Sequence, residues 1–178
     1  MSKIFYDKDI TPWSRDSIQG KLVGLGVVGT YTIQNTIINP TGSMAIFVPF
    51  NMLAPATLHQ VFWYIGSGTA GFVDVGVYSN DGTLLAHCGN ILVSGATSAI
   101  QTVDIPDYDL APGQYFMAFV SNNKTGSFLA SALGNFGLDE MAGIYQQANA
   151  SPLPARATFI NPVMDYVPIF GLQTRSLV

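Results

Sequence analysis

Alternation of apolar with polar or small residues over residues 72–78 is the feature that most constrains the fold. The run reads Phe-Val-Asp-Val-Gly-Val-Tyr, so three valines at every second position alternate with Asp, Gly and Tyr. A period of two residues is typical of a strand with one buried face. Residues 79–83, Ser-Asn-Asp-Gly-Thr, supply turn chemistry, because Asn, Asp and Gly adopt positive φ readily. With residues 84–88 as the returning strand, the sequence predicts a β-hairpin.

The chain from Thr30 onward repeats this texture of β-branched and aromatic segments separated by turn residues. Such spacing indicates an all-β sandwich or barrel, and we predict an antiparallel, jelly-roll-like β-sandwich over residues 31–178. Residues 114–121 form a near-continuous apolar run, which favours a central strand covered on both faces. Pro162 and Pro168 confine the last strands to edges or ends. The remaining predicted strands are 31–38, 44–50, 57–65, 91–93, 99–105, 157–160 and 166–172.

Residues 1–30 are predicted to be an N-terminal arm that serves anchoring or inter-subunit contact. The segment lacks clear helical or strand periodicity, yet it carries apolar side chains that would be unusual in a free tail. We therefore expect the arm to pack on its own domain or on a neighbour. The candidate assembly residues are Ile4, Phe5, Trp13, Leu22 and Leu25.

Residues 122–154 have a looser pattern, rich in Gly, Ala and Asn, with a helical turn predicted around Leu138–Gln146. A segment of this length exceeds ordinary connections and is typical of one that carries binding or contacts.

Charged residues make up only 10% of the chain, whereas soluble domains carry roughly 25%. So few charges favour a surface that is partly hidden against neighbouring subunits, and hence a homo-oligomer. The net charge of −4 and only seven basic residues argue against a nucleic-acid partner. The sequence contains no run of about 18 apolar residues, so no membrane insertion is predicted.

The first nine residues lack the basic and apolar regions of a secretory signal, so synthesis in a cytoplasm is expected. The single cysteine, Cys88, excludes an internal disulfide.

Glycines 24, 26 and 29 have the spacing of a dinucleotide-binding loop. The residues that follow, 30–33, are strand-like rather than helical, and no acidic residue lies near twenty positions further on. We therefore predict no cofactor.

The histidines, the single cysteine and the clustered carboxylates are the side chains that could carry chemistry. Alternation places His87 and Cys88 on opposite faces of a strand, which argues against a nucleophile–base pair. His59 and His87 with a carboxylate could hold a metal, although ligand spacing is lacking. The carboxylates at 104, 107 and 109 could serve acid–base chemistry or calcium, but a short solvated loop beside Pro106 is favoured. No catalytic or metal residues are predicted, and the metal question stays open for His59 and for Asp104, Asp107 and Asp109.

Aromatic side chains have two interpretations. They form either a stacking platform for sugar rings or core and subunit-contact surface, and the second is favoured because aromatics dominate burial there. Trp63 and Tyr145 are the candidates for glycan or partner contact, within the set Trp63, Tyr64, Tyr78, Tyr145 and Tyr166.

Two strings carry a resemblance to a known class of proteins. Residues 74–86 read DVGVYSNDGTLLA, and residues 110–121 read LAPGQYFMAFVS. Both resemble a hairpin and a strand found in one jelly-roll-like domain of structural proteins of tailed bacteriophages. Val48-Pro49-Phe50 and residues 168–172 are also similar to that pattern, so the resemblance covers roughly residues 43–172.

The resemblance implies a non-enzymatic virion component: a head decoration protein, a fibre or tail knob, or a receptor-binding tip. It implies assembly with other virion proteins as a homo-oligomer, with a trimer favoured, and a host-surface glycan as a further partner. It also implies that the arm anchors the domain while the loops of 122–154 face a neighbour or the outside. A carbohydrate-binding module remains the alternative function.

Overall fold

The computed structural model describes residues 32–34, 43–67, 71–94, 98–122, 127–132, 143–162 and 166–176. These residues form strands and irregular segments, and none of them belongs to a helix that could cross a membrane. The strands are β1 Thr32–Gln34, β2 Ala45–Met52, β3 Ala56–Ser67, β4 Phe72–Ser79, β5 Leu84–His87, β6 Ile91–Leu92, β7 Ala99–Leu110, β8 Gly113–Ser121, β9 Ser127–Phe128, β10 Ala130–Ala132, β11 Tyr145–Gln147, β12 Tyr166–Pro168 and β13 Phe170–Ser176.

Two antiparallel sheets pack against each other. The first has the order β11-β2-β8-β4-β5, with β6 also paired to β4, and the second has the order β13-β3-β7, with β9 also paired to β3. The long strands alternate between these sheets along the chain. The consecutive strands β2 and β3 lie in different sheets, where β2 pairs with β8 and β3 pairs with β7. This wrapping is that of a jelly roll, and it confirms the predicted antiparallel β-sandwich. A small third sheet has the order β1-β10-β12.

The β-hairpin predicted over residues 72–88 is present as β4 and β5. Its three valines are fully buried, as the alternation predicts. At the turn, Gly82 has φ of 84°, and Ser79 donates from its hydroxyl to the Asp81 carboxylate. The Thr83 N–H also donates to Asp81, at 3.2 Å. These bonds hold the pKa of the exposed Asp81 carboxyl below its ordinary value, the Ser79 bond contributing most.

The main core lies between the two sheets. Trp63 and Phe170, paired across β3 and β13, belong to one apolar cluster with Met117 of the opposite sheet, and all three are fully buried. Strand β8 occupies the middle of its sheet, between β2 and β4, and residues 116–121 are buried. This confirms the predicted central strand.

A second apolar cluster lies on the outer face of the β2–β8–β4 sheet. A segment we call the strap, residues 148–160, covers that face, with Ala150 and Leu153 buried against it. The β11 residue Gln146 pairs with Ile160 through two backbone hydrogen bonds of 2.8 and 3.0 Å, so the strap leaves from and returns to one place. The strap is therefore an Ω-loop, a compact surface loop whose ends lie close together. It contains a cis peptide bond between Ser151 and Pro152.

The strap corrects the prediction that β4 has one buried face. Strand β4 is buried on both faces rather than one, because the strap covers Asp74 and Tyr78. Residues 148–154, predicted among loops that face outward or a neighbour, pack on their own sheet through Ala150 and Leu153 and expose Ala148, Asn149 and Pro152, so an outward or neighbour contact stays a prediction. The residues at 143–146 of the predicted helical turn contain the start of β11, because pairing with β2 satisfies their backbone.

Three further boundaries differ from expectation. Strand β7 continues through Pro106 to Leu110, so the three clustered aspartates lie on a strand and not in a short loop. Residues 157–160 make only a single bridge, at Ile160, because they belong to the strap. The last predicted strand is split at Ile169 into β12 and β13, which join different sheets.

Candidate functional site

Three outer-face residues of β4 form a socket for the middle of the strap. Asp74, Gly76 and Tyr78 lie at every second position and therefore on one face of the strand. The Leu153 N–H donates to Asp74 Oδ2 at 3.0 Å, and the Tyr78 hydroxyl donates to the Pro154 carbonyl at 2.7 Å. The two polar side chains of the socket thus bind consecutive residues of the strap.

Gly76 provides the space between them. A Cβ built on Gly76 would lie 2.6 Å from the Ala86 carbonyl oxygen, 2.7 Å from His87 Cβ and 3.1 Å from Leu153 Cδ1. The first two distances are shorter than real Cβ contacts, so a side chain here would displace the hairpin partner as well as the strap.

Asp74 joins the socket to the edge of the sheet. Its side chain has no exposed surface. The Oδ2 atom that accepts the Leu153 N–H also accepts a hydrogen bond from His87 Nδ1 at 2.9 Å. Cys88 Sγ lies 3.7 Å from the other oxygen, Oδ1. His87 is 36% exposed in its side chain, so the imidazole stands at the rim while its carboxylate partner lies inside. A buried carboxylate with several donors is a costly group that requires its partners.

The thiol of Cys88 is held in its protonated form, which is the weakly nucleophilic one. Burial raises its pKa to about 12, the Asp74 charge acts in the same direction, and the Val75 N–H that donates to Sγ at 3.3 Å lowers it in part. Burial, with the Asp74 charge second, also raises the pKa of the Tyr78 phenol. Both groups therefore stay neutral at pH 7, and the cluster is a carboxylate–imidazole pair beside a protonated thiol.

Sequence reasoning separated His87 from Cys88 but missed that Asp74 contacts both. His87 pairs with Gly76 on the outer face, while Cys88, just beyond the end of β5, packs partly against the main core. The available signal was the position of Asp74 and Gly76 on one strand face, but the strap partner is 79 residues away in the chain.

Trp63 is not a glycan or partner contact of this chain. Its side chain is fully buried in the main core, because β3 turns that face toward the opposite sheet. The indole Nε1 is buried without a hydrogen-bond partner among the described residues. The prediction for Trp63 was therefore wrong.

Tyr145 lies at the edge of the outer aromatic cluster and is half-buried. Its ring centroid is 5.2 Å from that of Phe159 and 5.8 Å from that of Phe116. These contacts are typical of aromatic packing and leave part of the tyrosine at the surface. Its assignment as a glycan or partner contact stays a prediction.

The clustered aspartates of β7 bind neighbouring side chains of β3. Gln60 Nε2 donates to Asp104 at 2.8 Å, and Thr57 Oγ1 donates to Asp109 at 2.7 Å. His59 lies on β3 and His87 on β5, in different sheets. In the described part of the chain, no three His, Cys, Asp or Glu side chains lie close enough to hold a metal ion.

Large apolar side chains stand exposed at several places. Leu53, between β2 and β3, is 85% exposed, Leu92 on β6 is 54% exposed and Ile160 at the end of the strap is 53% exposed. Phe72, the direct cross-strand partner of Leu92, and Ile100 on β7 are also exposed. The arm residues Ile4, Phe5, Trp13, Leu22 and Leu25, and the 24–29 glycine motif, lie outside the described residues.

Fold and site together define a jelly-roll-like β-sandwich whose outer sheet face is closed by a strap seated on Asp74, Gly76 and Tyr78. No protein-family model, no curated protein and no solved structure matches the chain.

Proposed function

We propose that this chain is a non-enzymatic structural protein of a tailed-bacteriophage virion, where it assembles as a homo-oligomer in a decoration, spike or attachment role. The observation that carries the proposal is the pairing of a 10% charged fraction with large, exposed apolar side chains. A surface of this kind favours association over a dispersed monomer.

The exposed apolar residues lie on different strands and connections. Leu53 follows β2, whereas Leu92 and Phe72 form a cross-strand pair at the far edge of the same sheet, on β6 and β4. Contacts at more than one place suit a ring or lattice, in which each subunit meets neighbours on different sides.

The resemblance to phage structural proteins supports the virion setting. Its two motifs correspond to the β4–β5 hairpin and to β8, and β8 pairs directly with β4 along Val73–Ser79. The motifs are therefore neighbours in a single sheet rather than unrelated strands. Residues 1–30 are proposed as the arm that anchors the domain to a capsid or tail.

Removal of residues 1–30 tests the anchoring role. Capsids and tails stripped of this protein should rebind the full chain, and the truncated chain should rebind weakly or not at all. Circular dichroism of the truncated chain checks that the sandwich is retained. Equal rebinding by both chains would contradict an anchoring arm, and failure of the full chain to rebind either particle would contradict the virion role.

Point substitutions test the apolar contacts directly. Leu92→Lys should shift the oligomer toward smaller species, because a charge in a contact must be desolvated. Thr102→Lys, at an exposed polar position of β7, is the matched control and should leave the native mass unchanged. Identical native masses for Leu92→Lys and the unaltered chain would contradict a subunit contact at Leu92.

The partly exposed Tyr145 favours a carbohydrate-binding module as the second candidate. Glycan-array binding that is lost in Tyr145→Ala and kept in Tyr64→Ala would support it, although a receptor-binding virion tip would give the same result. Only rebinding to stripped particles separates those two roles.

A further inference from the structure

We propose that the strap is a latch that opens and closes as a local unit while the β-sandwich stays folded, with Asp74 as the residue that holds it shut. The proposal is independent of the virion role.

The first argument is that the two apolar clusters are separate. The main core between the sheets contains no residue of the strap, and the strap contributes buried side chains only to the outer cluster. Those buried side chains are Ala150 and Leu153, with Ala157 and Phe159 partly buried beside them. Opening the strap therefore leaves the main core intact, which is the condition for local rather than global unfolding.

The second argument is the way the strap is attached. Its backbone makes no continuous ladder with the sheet, and its hydrogen bonds fall at isolated points. Ala150 N–H donates to Ser43 O at 2.7 Å. One isolated antiparallel bridge, between Arg156 and Thr83, contributes Leu84 N–H to Ala155 O at 3.0 Å and Ala157 N–H to Gly82 O at 2.8 Å. The paired ends at Gln146 and Ile160 let the middle lift without separating the ends.

The third argument is the chemistry of the socket. Closing the strap buries the Asp74 carboxylate, which costs hydration, and the Leu153 N–H and His87 imidazole offset that cost. The Leu153 N–H bond to Asp74 forms only while the strap is closed, so Asp74 favours the closed state. Removal of Asp74 leaves the Leu153 N–H without its acceptor in the closed state.

Hydrogen exchange of single amides tests the latch. In the unaltered protein, the Leu153 and Ala157 amides should exchange faster, after correction for intrinsic rates, than the Phe119 amide in the centre of β8. Asp74→Ala should accelerate Leu153 and Ala157 about tenfold or more, as expected for loss of a hydrogen bond to a charged group, and leave Phe119 nearly unchanged.

Two further variants keep the result decisive. Asp104→Ala removes an exposed strand carboxylate that accepts a hydrogen bond from Gln60. It should leave the exchange rates of the Leu153, Ala157 and Phe119 amides unchanged. If Asp74→Ala does not fold, Tyr78→Phe takes its place, since it removes only the hydroxyl that donates to Pro154. It should accelerate the strap amides alone.

Exchange of Leu153 and Phe119 at one common rate in the unaltered protein would overturn the proposal, because strap and sandwich would then open together. Unchanged Leu153 exchange in folded Asp74→Ala would overturn the role of Asp74.

Discussion

Gly76 and its neighbours show how single residues set the outer face of the sheet. A glycine in mid-strand weakens a sheet unless another group needs its space. Here the hairpin partner and Leu153 occupy that space, so the absence of a side chain is what permits strap and hairpin to pack together.

Gly76→Ala should therefore destabilise the protein by about 1–3 kcal/mol, the range typical of overpacking in a well-packed interior. Urea unfolding at pH 7 measures the change. Gly113→Ala is the matched control, because a Cβ there would meet only Tyr115 ring atoms at ordinary distances of 3.5 Å or more. An equal loss of stability in both variants would show that strand propensity, and not the close contact at Gly76, causes the effect.

Cys88 and Tyr78 predict a loss of stability in alkali. The folded Cys88 thiol keeps its proton up to a pKa of about 12, whereas the unfolded thiol ionises near its ordinary 9.0. The unfolded state therefore binds fewer protons over this window, and the free energy of unfolding falls as pH rises. Tyr78 acts in the same direction above its ordinary value of 10.0.

The slope approaches about 1.4 kcal/mol per pH unit for each such group that is ionised only in the unfolded state. Urea unfolding at pH 8, 9, 10 and 10.5 measures it. Cys88→Ala should lower stability at pH 8 yet show a shallower decline at pH 9–10, before Tyr78 contributes strongly. The same slope with and without the thiol would contradict the assignment.

Strand β7 shows how an element at the edge of a sheet is protected. It is a twelve-residue strand at the end of the β13-β3-β7 order, and such edges are templates for unwanted pairing. Pro106 and the exposed charges of Asp104 and Asp109 lie along this strand. We interpret these residues as protection of the edge rather than as a catalytic or metal-binding cluster.

The double variant Asp104→Val with Pro106→Val should aggregate at lower concentration than the unaltered protein, since it replaces a charge and a proline on an edge strand with apolar, β-forming side chains. Light scattering against concentration measures this. Asp81→Asn, at the exposed hairpin turn, removes one negative charge and keeps an acceptor oxygen for Ser79 and Thr83, so it is the control for net charge. Aggregation of both to the same extent would assign the effect to charge alone.

Elements differed in how far the sequence predicted them. The β4–β5 hairpin and β8 followed from local alternation and turn chemistry, because their inner faces meet one core. The strap did not, since Asp74 in an alternating strand resembles a solvent-facing residue until Leu153 covers it. The apolar run of β8 did predict a layer on both faces, but no local pattern indicates which distant segment supplies it. Trp63 was misplaced for a related reason: residue type alone does not tell the core face of β3 from its outer face.

At the scale of the whole molecule, a complete sandwich with a closed outer face coexists with apolar side chains that remain in water. Among the described residues, Leu53 and Leu92 belong to neither the main core nor the outer cluster and stand exposed. Exposed apolar groups of that size favour contacts between molecules. Association is thus the property on which the proposed structural role depends.

The native mass of the purified protein tests that property most directly. One chain has a mass of 19.0 kDa, and native mass spectrometry or light scattering over a range of concentrations separates monomer from closed oligomer. We predict a homo-oligomer, with three chain masses favoured, that shifts to smaller species in Leu92→Lys. A single species of 19.0 kDa at every concentration, which also fails to rebind stripped capsids or tails, would contradict the account.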